Sequence, residues 1–168
     1  RVSDALVELV DFSATVYELT GIEPGYDHFG QSLLPLIAGE TNTHRDAVFC
    51  EGGRRVGETQ AMERESASAG KEGDAEYGLY YPRLRVQTTD ELGVQHTKAA
   101  MCRTQTHKYI RRHYEQDELY DLTVDPGECT NLVDDPAYMA ILDTLKERML
   151  TWYMETCDIV PRATDRRR

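Results

Sequence analysis

From Asp135 onward the sequence carries one apolar stripe that cannot stay in water. Tyr138, Ile141, Leu142, Leu145, Met149, Trp152 and Tyr153 recur at spacings of 3, 1, 3, 4, 3 and 1, the period of one face of an α-helix. Asp135 and Pro136 supply an N-cap and a first helical residue, and Lys146, Glu147 and Arg148 occupy much of the opposite side. A long helix of this kind needs an apolar surface to lie on. The residues before it offer one. Thr97–Arg103, Lys108–Tyr114 and Glu118–Leu122 read as short strands joined by the polar links Thr104–His107 and Glu115–Asp117, as antiparallel hairpins are. Alternation along the second places Tyr109, Arg111 and His113 on one face and Ile110, Arg112 and Tyr114 on the other, so one side of the sheet is expected to be covered.

The front of the chain is built differently. Ser13–Thr20 reads as a short helix with Asp11 or Ser13 as N-cap and Gly21 past its end, and Ser32–Ala38 as another stopped by Gly39. Ala47–Glu51 is a further strand candidate, ending at Gly52-Gly53. From Arg54 to Gly78 apolar residues nearly vanish, and a flexible loop 54–78 is expected. Beyond it, Leu79-Tyr80-Tyr81 and Leu84–Thr88 are short extended candidates around Pro82, and Pro161–Arg168 reads as a solvated tail. The predicted class is α+β: a small antiparallel sheet of about four strands packed against a long C-terminal helix and preceded by short helices.

Charge and composition bound the function. Lys+Arg total 19 and Asp+Glu 30, a net −11, which argues against nucleic acid as a partner because phosphate neutralisation needs a basic surface. No apolar run reaches the roughly 18–20 residues of a membrane span. The four cysteines, Cys50, Cys102, Cys129 and Cys157, form no CxxC or Cys/His pair of zinc-ligand spacing, and they leave the compartment open. Asp121 and Asp125, four residues apart around a turn, read as turn and capping residues rather than as a cation site. The chain opens on Arg1 with no initiator Met and no export signal, and its two front helices have little to pack on. It is therefore expected to be part of something longer.

The ordered motifs resemble the C-terminal region of sulfatases of the alkaline phosphatase superfamily, the formylglycine-dependent family. Thr106–Ile110 carries a "KY" strand, Glu118–Leu122 reads "ELYDL", and Asp125-Pro126-Gly127-Glu128 with Asn131-Leu132 matches "DP.E..NL" ahead of a terminal helix. Val10–Thr15 is similar to the family's "VDL.PT" step, with Ala14 where Pro is usual; Gly21–Pro24 and Gly30–Gly39 match "GI.P" and "G.SL.PLI.G". The resemblance implies that residues 1–44 end a catalytic α/β core, of which the short helices are the remainder, and that 45–168 form the C-terminal subdomain.

It also implies what this chain lacks. The family's nucleophile lies in a C-x-P-S-R-type motif, and none of the four cysteine contexts fits it. The paired aspartates and the Asp-Asn that hold a divalent cation are missing, as are the His and Lys that precede the "VDL.PT" step. No residue of this chain is therefore assigned as catalytic or metal-ligating, and calcium and formylglycine are expected only in the parent enzyme. The partners expected are the absent N-terminal catalytic core and, for the parent, a sulfate-ester substrate. Self-association of this chain through the exposed front helices is also expected. Glu51, Arg54, Glu58, His96 and Lys98, with Arg55 and Gln60, are candidates for contacting the group that carries the ester: cations suit anionic groups, and carboxylates and amides suit hydroxyls. Each on its own also reads as a solvated surface side chain. A phosphonate or phosphate monoester hydrolase of the same superfamily, or a non-catalytic interaction module, are the alternative readings.

Overall fold

The computed structural model describes residues 2–53, 55–56 and 97–158. Within them lie α1 (Val10–Thr20), α2 (Leu34–Ala38), β1 (Val48–Gly52), β2 (Ala99–Arg103), β3 (His107–Arg112), β4 (Glu118–Asp121), a 3-10 turn (Pro136–Tyr138) and α3 (Met139–Thr156). The strands form one antiparallel sheet in the order β1-β2-β3-β4, so among the described residues the order in the sheet follows the order in sequence. The α+β expectation holds. Most of the predicted loop 54–78, the extended candidates at 79–88 and the tail 161–168 lie outside the described residues. No described helix is long and apolar enough to cross a membrane.

The chain divides into two compact units. The larger comprises Arg1–Phe49, Met101–Tyr109 and Leu119–Arg168, and the smaller Cys50–Ala100 and Ile110–Glu118.

In the larger unit, Leu142, Leu145 and Met149 of α3 are buried together with Cys102, Tyr109 and Leu119 from the strands. Full burial of a large apolar side chain such as these leucines is worth about 1.5–3 kcal/mol. Lys146 places its ammonium 5.9 Å from the centre of the Tyr109 ring, over the same surface. The outer members of the stripe behave differently. Tyr138, Ile141 and Trp152 are only half-buried and Tyr153 is exposed; Trp152 stacks on Phe49, with ring centres 4.9 Å apart and planes 6° from parallel. Asp135 caps the start, its carboxylate accepting from Ala137 N–H at 2.9 Å, but the first turn is 3-10 rather than α.

Short links fix the strand register. Thr104 N–H donates to the His107 carbonyl at 2.8 Å, and its hydroxyl accepts from His107 N–H at 3.0 Å, closing the β2–β3 turn. After β4, Asp121 accepts from Thr123 N–H at 2.9 Å, and Asp125 accepts from the N–H groups of Cys129 and Thr130, each at 2.8 Å. Both carboxylates thus serve turns, as their spacing suggested. Glu128 sits in the same turn with φ 56, the one non-glycine described residue of positive φ, and its carboxylate pairs with Lys108. Asn131 anchors the next segment by accepting from Leu119 N–H at 2.9 Å.

At the front of the unit, α1 starts at Val10, earlier than predicted, with Leu9 as its N-cap and no side-chain cap bond. Asp11 and Ser13 therefore lie inside the helix. Gly21 closes it in the left-handed conformation (φ 68), as a glycine just past a helix end does. Ser32 accepts from Leu34 N–H at 3.3 Å, two residues before the first helical residue of α2 proper.

The smaller unit shows why two arginines sit on one strand of an acidic chain. Arg111 pairs with Asp117 at 2.9 Å and Arg112 with Glu118 at 2.8 Å, while Asp117 also accepts from Arg112 N–H at 3.1 Å. Strand β2 begins at Ala99; Lys98 lies just before it, exposed, with its carbonyl accepting from His113 N–H at 3.0 Å.

Candidate functional site

Of the residues singled out from the sequence, Glu51, Arg55 and Lys98 fall within the described part, all three exposed on the smaller unit, and none lines the cleft below. Arg54, Glu58, Gln60 and His96 lie outside the described residues.

The larger unit contains a constellation the sequence did not reveal. Asp11 is fully buried in the first turn of α1. Its carboxylate accepts from Arg45 Nε at 2.9 Å and is also bonded by an Arg45 terminal nitrogen. Backbone N–H groups of Glu8 and Gln31 donate to it at 2.8 and 2.9 Å, and His44 Nε2 lies 3.2 Å away. Arg45 pairs in addition with Glu8 at 3.1 Å and donates to the Phe29 carbonyl at 2.9 Å. Glu8 in turn accepts from Phe49 N–H at 2.6 Å. Burial alone would raise the Asp11 pKa; the bonds from Arg45, Gln31 and Glu8 and the Arg45 charge outweigh it and hold the group well below its ordinary 3.8. The same partnership raises Arg45. The network ties the start of α1, the segment before α2 and the entry to β1 together through one carboxylate. The readable signal was a lone carboxylate between Val10 and Phe12; its partner, 34 residues away, carried none.

Beside this clamp runs a cleft of about 870 Å³, within the size range of ligand sites. Glu8, His44 and Arg45 form part of its wall, and the Phe49–Trp152 stack and the α3 residues Glu147, Arg148 and Glu155 form another. Arg148 is engaged with Asp46, whose carboxyl is lowered chiefly by that bond. The hydroxyls of Thr144 and Thr156, also lining the cleft, donate to the helix carbonyls of Ala140 and Trp152 at 2.8 and 2.7 Å. The cleft thus offers an aromatic face and carboxylate acceptors.

No group of three or more His, Cys, Asp or Glu side chains among the described residues is arranged to hold a metal ion. Cys102 is buried and its thiol is pushed up to about 11, mainly by that burial, while Cys50, Cys129 and Cys157 are exposed free thiols. The residues present do not fit the calcium and formylglycine that the sulfatase resemblance implies, and no step is derived through either.

Comparison with known proteins agrees with the motif order. No protein-family model matches the chain. It is 26% identical over 177 aligned positions to human N-sulphoglucosamine sulphohydrolase, covering 94% of this chain and 34% of that protein. It is 23% identical to the multifunctional alkaline phosphatase superfamily protein PehA of Trinickia caryophylli, covering 94% of this chain and 26% of the relative. The crystal structure of the phosphonate monoester hydrolase of Agrobacterium radiobacter shares the fold, with a TM-score of 0.62 at 21% identity over 98% of this chain and 30% of that one. The chain therefore spans about a third or less of the length of these proteins, and is similar along nearly all of its own to sulfatases and their superfamily relatives.

Proposed function

We propose that this sulfatase-like chain is the C-terminal part of a sulfuric-ester hydrolase, giving its catalytic core structural support and part of the substrate cleft, and inactive alone. The observation that carries the reading is the run of family-ordered motifs from Val10 to Leu132, with a 26%-identical sulphohydrolase matched over 94% of the chain. On this reading residues 1–44 complete the catalytic α/β core and 45–168 form the C-terminal subdomain. The nucleophile and the cation that stabilises charge on the sulfate oxygens come from the remainder of the enzyme. Cations such as Lys98, Arg54 and Arg55 would meet an anionic group on the substrate, Glu51, Glu58 and Gln60 its hydroxyls, and His96 either kind of group. A second reading, hydrolysis of phosphonate or phosphate monoesters, draws on the superfamily relatives PehA and the phosphonate monoester hydrolase.

The test has two parts. The purified chain, supplied with calcium and a chromogenic aryl sulfate, is expected to show no turnover. Turnover abolished by substituting a residue of this chain would overturn its assignment as inactive. The coding sequence upstream of Arg1 is expected to encode a C-x-P-S-R motif, and an in-frame start immediately before Arg1 would overturn the partial-enzyme reading. Comparing aryl sulfate with phosphonate monoester turnover by the longer product then separates the two chemistries.

A further inference from the structure

Charge in the cleft beside the Phe49–Trp152 stack is unevenly matched. Its lining carries the carboxylates of Glu8, Asp46, Glu147 and Glu155 and the guanidinium groups of Arg45 and Arg148. Both arginines are committed, Arg45 to Asp11 and Glu8, Arg148 to Asp46. Glu147 and Glu155 pair with no cation among the described residues. The lining is therefore left with the negative charges of these two side chains uncompensated.

Their placement selects a shape. Glu147, Thr151 and Glu155 follow one another at intervals of four residues on α3, a single row along the helix, and all three line the cleft. From Glu147 to Glu155 the helix rises about 12 Å. Trp152, stacked on Phe49, gives the same cleft an apolar surface on which methylene groups lose water. The cleft is large enough, at about 870 Å³, for a slender chain molecule. A compact monocation satisfies one carboxylate only, whereas a cation at each end of an apolar chain satisfies both.

We propose that this cleft binds a linear diamine or polyamine, its terminal ammonium groups pairing with Glu147 and Glu155 and its methylene chain lying along Thr151 and the Phe49–Trp152 surface. Arg45 and Arg148 keep their own partners, so the ligand displaces no ion pair of the chain. Glu147 and Glu155 are exposed, and ion pairs of that kind contribute little singly, so affinity in the millimolar range is expected. The inference is independent of the sulfatase reading, because it uses only the cleft and the charges of this chain.

Octamethylenediamine is the probe, since its ammonium groups stand about 11 Å apart when it is extended. Trp152 is the sole tryptophan, so its fluorescence follows filling of the cleft, with calorimetry as the second readout. At low salt, saturable binding of one molecule per chain is expected. It should be about fivefold tighter than that of trimethylenediamine, which is too short to span the row, and of octylamine, which carries one charge. Glu147→Gln and Glu155→Gln are each expected to weaken it to the octylamine level, with far-UV circular dichroism unchanged. Glu40→Gln removes an equal charge from an exposed residue outside the cleft and should leave binding as it was. Absence of saturable binding, equal affinity for the two diamines, or binding unchanged in both cleft variants would overturn the proposal. So would an equal loss in Glu40→Gln, which marks general attraction to an acidic chain.

Discussion

Asp11 shows how much of this fold rests on a single carboxylate. Four donors converge on it from Arg45, Glu8 and Gln31, and His44 adds a fifth polar contact. Removing its charge leaves Arg45 with much of its charge uncompensated in a site where Arg45 is itself nearly buried. Breaking one side of a buried pair typically costs about 3–5 kcal/mol. Asp11→Asn is accordingly expected to lower unfolding stability by about 3 kcal/mol in urea titrations at neutral pH, and a loss under 1 kcal/mol would show the clamp to be redundant. The pH dependence follows from the lowered pKa. A carboxylate depressed in the folded state contributes stability that is complete above its unfolded value near 3.8 and is lost as the pH falls below it. The acid limb of the stability profile should therefore be shallower in Asp11→Asn than in the parent chain. None of this was legible beforehand. Asp11 has the residue type and position of an N-cap, and only the arrival of Arg45 from a distant segment makes it the centre of a buried network.

At the scale of elements the sequence is more transparent, and the reason is periodicity. A stripe such as Leu142, Leu145 and Met149 declares a helix face wherever the chain later places it, and the turn from Asp125 to Thr130 is marked by the local bonds that the Asp125 carboxylate accepts. Boundaries and ends are less so. The first turn of the terminal helix is 3-10, and Trp152 leaves the core surface to stack on Phe49, because those outcomes depend on neighbours remote in sequence. Close approach between elements is likewise invisible in a pattern. Gly30 lies so near α1 that a Cβ there would run into the Val10 carbonyl and come within 3.1 Å of the Ala14 Cβ. Its φ is unremarkable, so the demand is for space rather than for a glycine conformation. Since the obstacle is helix backbone, it cannot swing aside as a side-chain tip would. Gly30→Ala is expected to destabilise by about 1–3 kcal/mol, as overpacking does. Thermal unfolding measures it, with Gly25→Ala, where a Cβ meets nothing within 4 Å, as the control expected to change little.

For the whole molecule the informative feature is an exposed apolar surface. Leu9, Phe12, Val16 and Leu19 follow one another at spacings of 3, 4 and 3 around α1, and they are 90%, 66%, 36% and 65% exposed. That is one continuous stripe along the helix, running beside the buried Thr15. Isolated exposed leucines mean little, whereas a contiguous patch of this kind marks a surface that another polypeptide covers. If the chain is part of a sulfatase-like enzyme, the two thirds of the sulphohydrolase's length that it does not match is where the cover comes from. Alone in solution, the same face can meet only another copy. The isolated chain is therefore expected to self-associate in a concentration-dependent way in sedimentation equilibrium. Phe12→Glu combined with Leu19→Glu should abolish that association. Both side chains are largely exposed, so the monomer's unfolding free energy should change by less than about 0.5 kcal/mol per substitution, the usual range for surface positions. A monomer that persists over a wide concentration range would sink the expectation. Association undiminished in the double variant would place the contact elsewhere on the molecule.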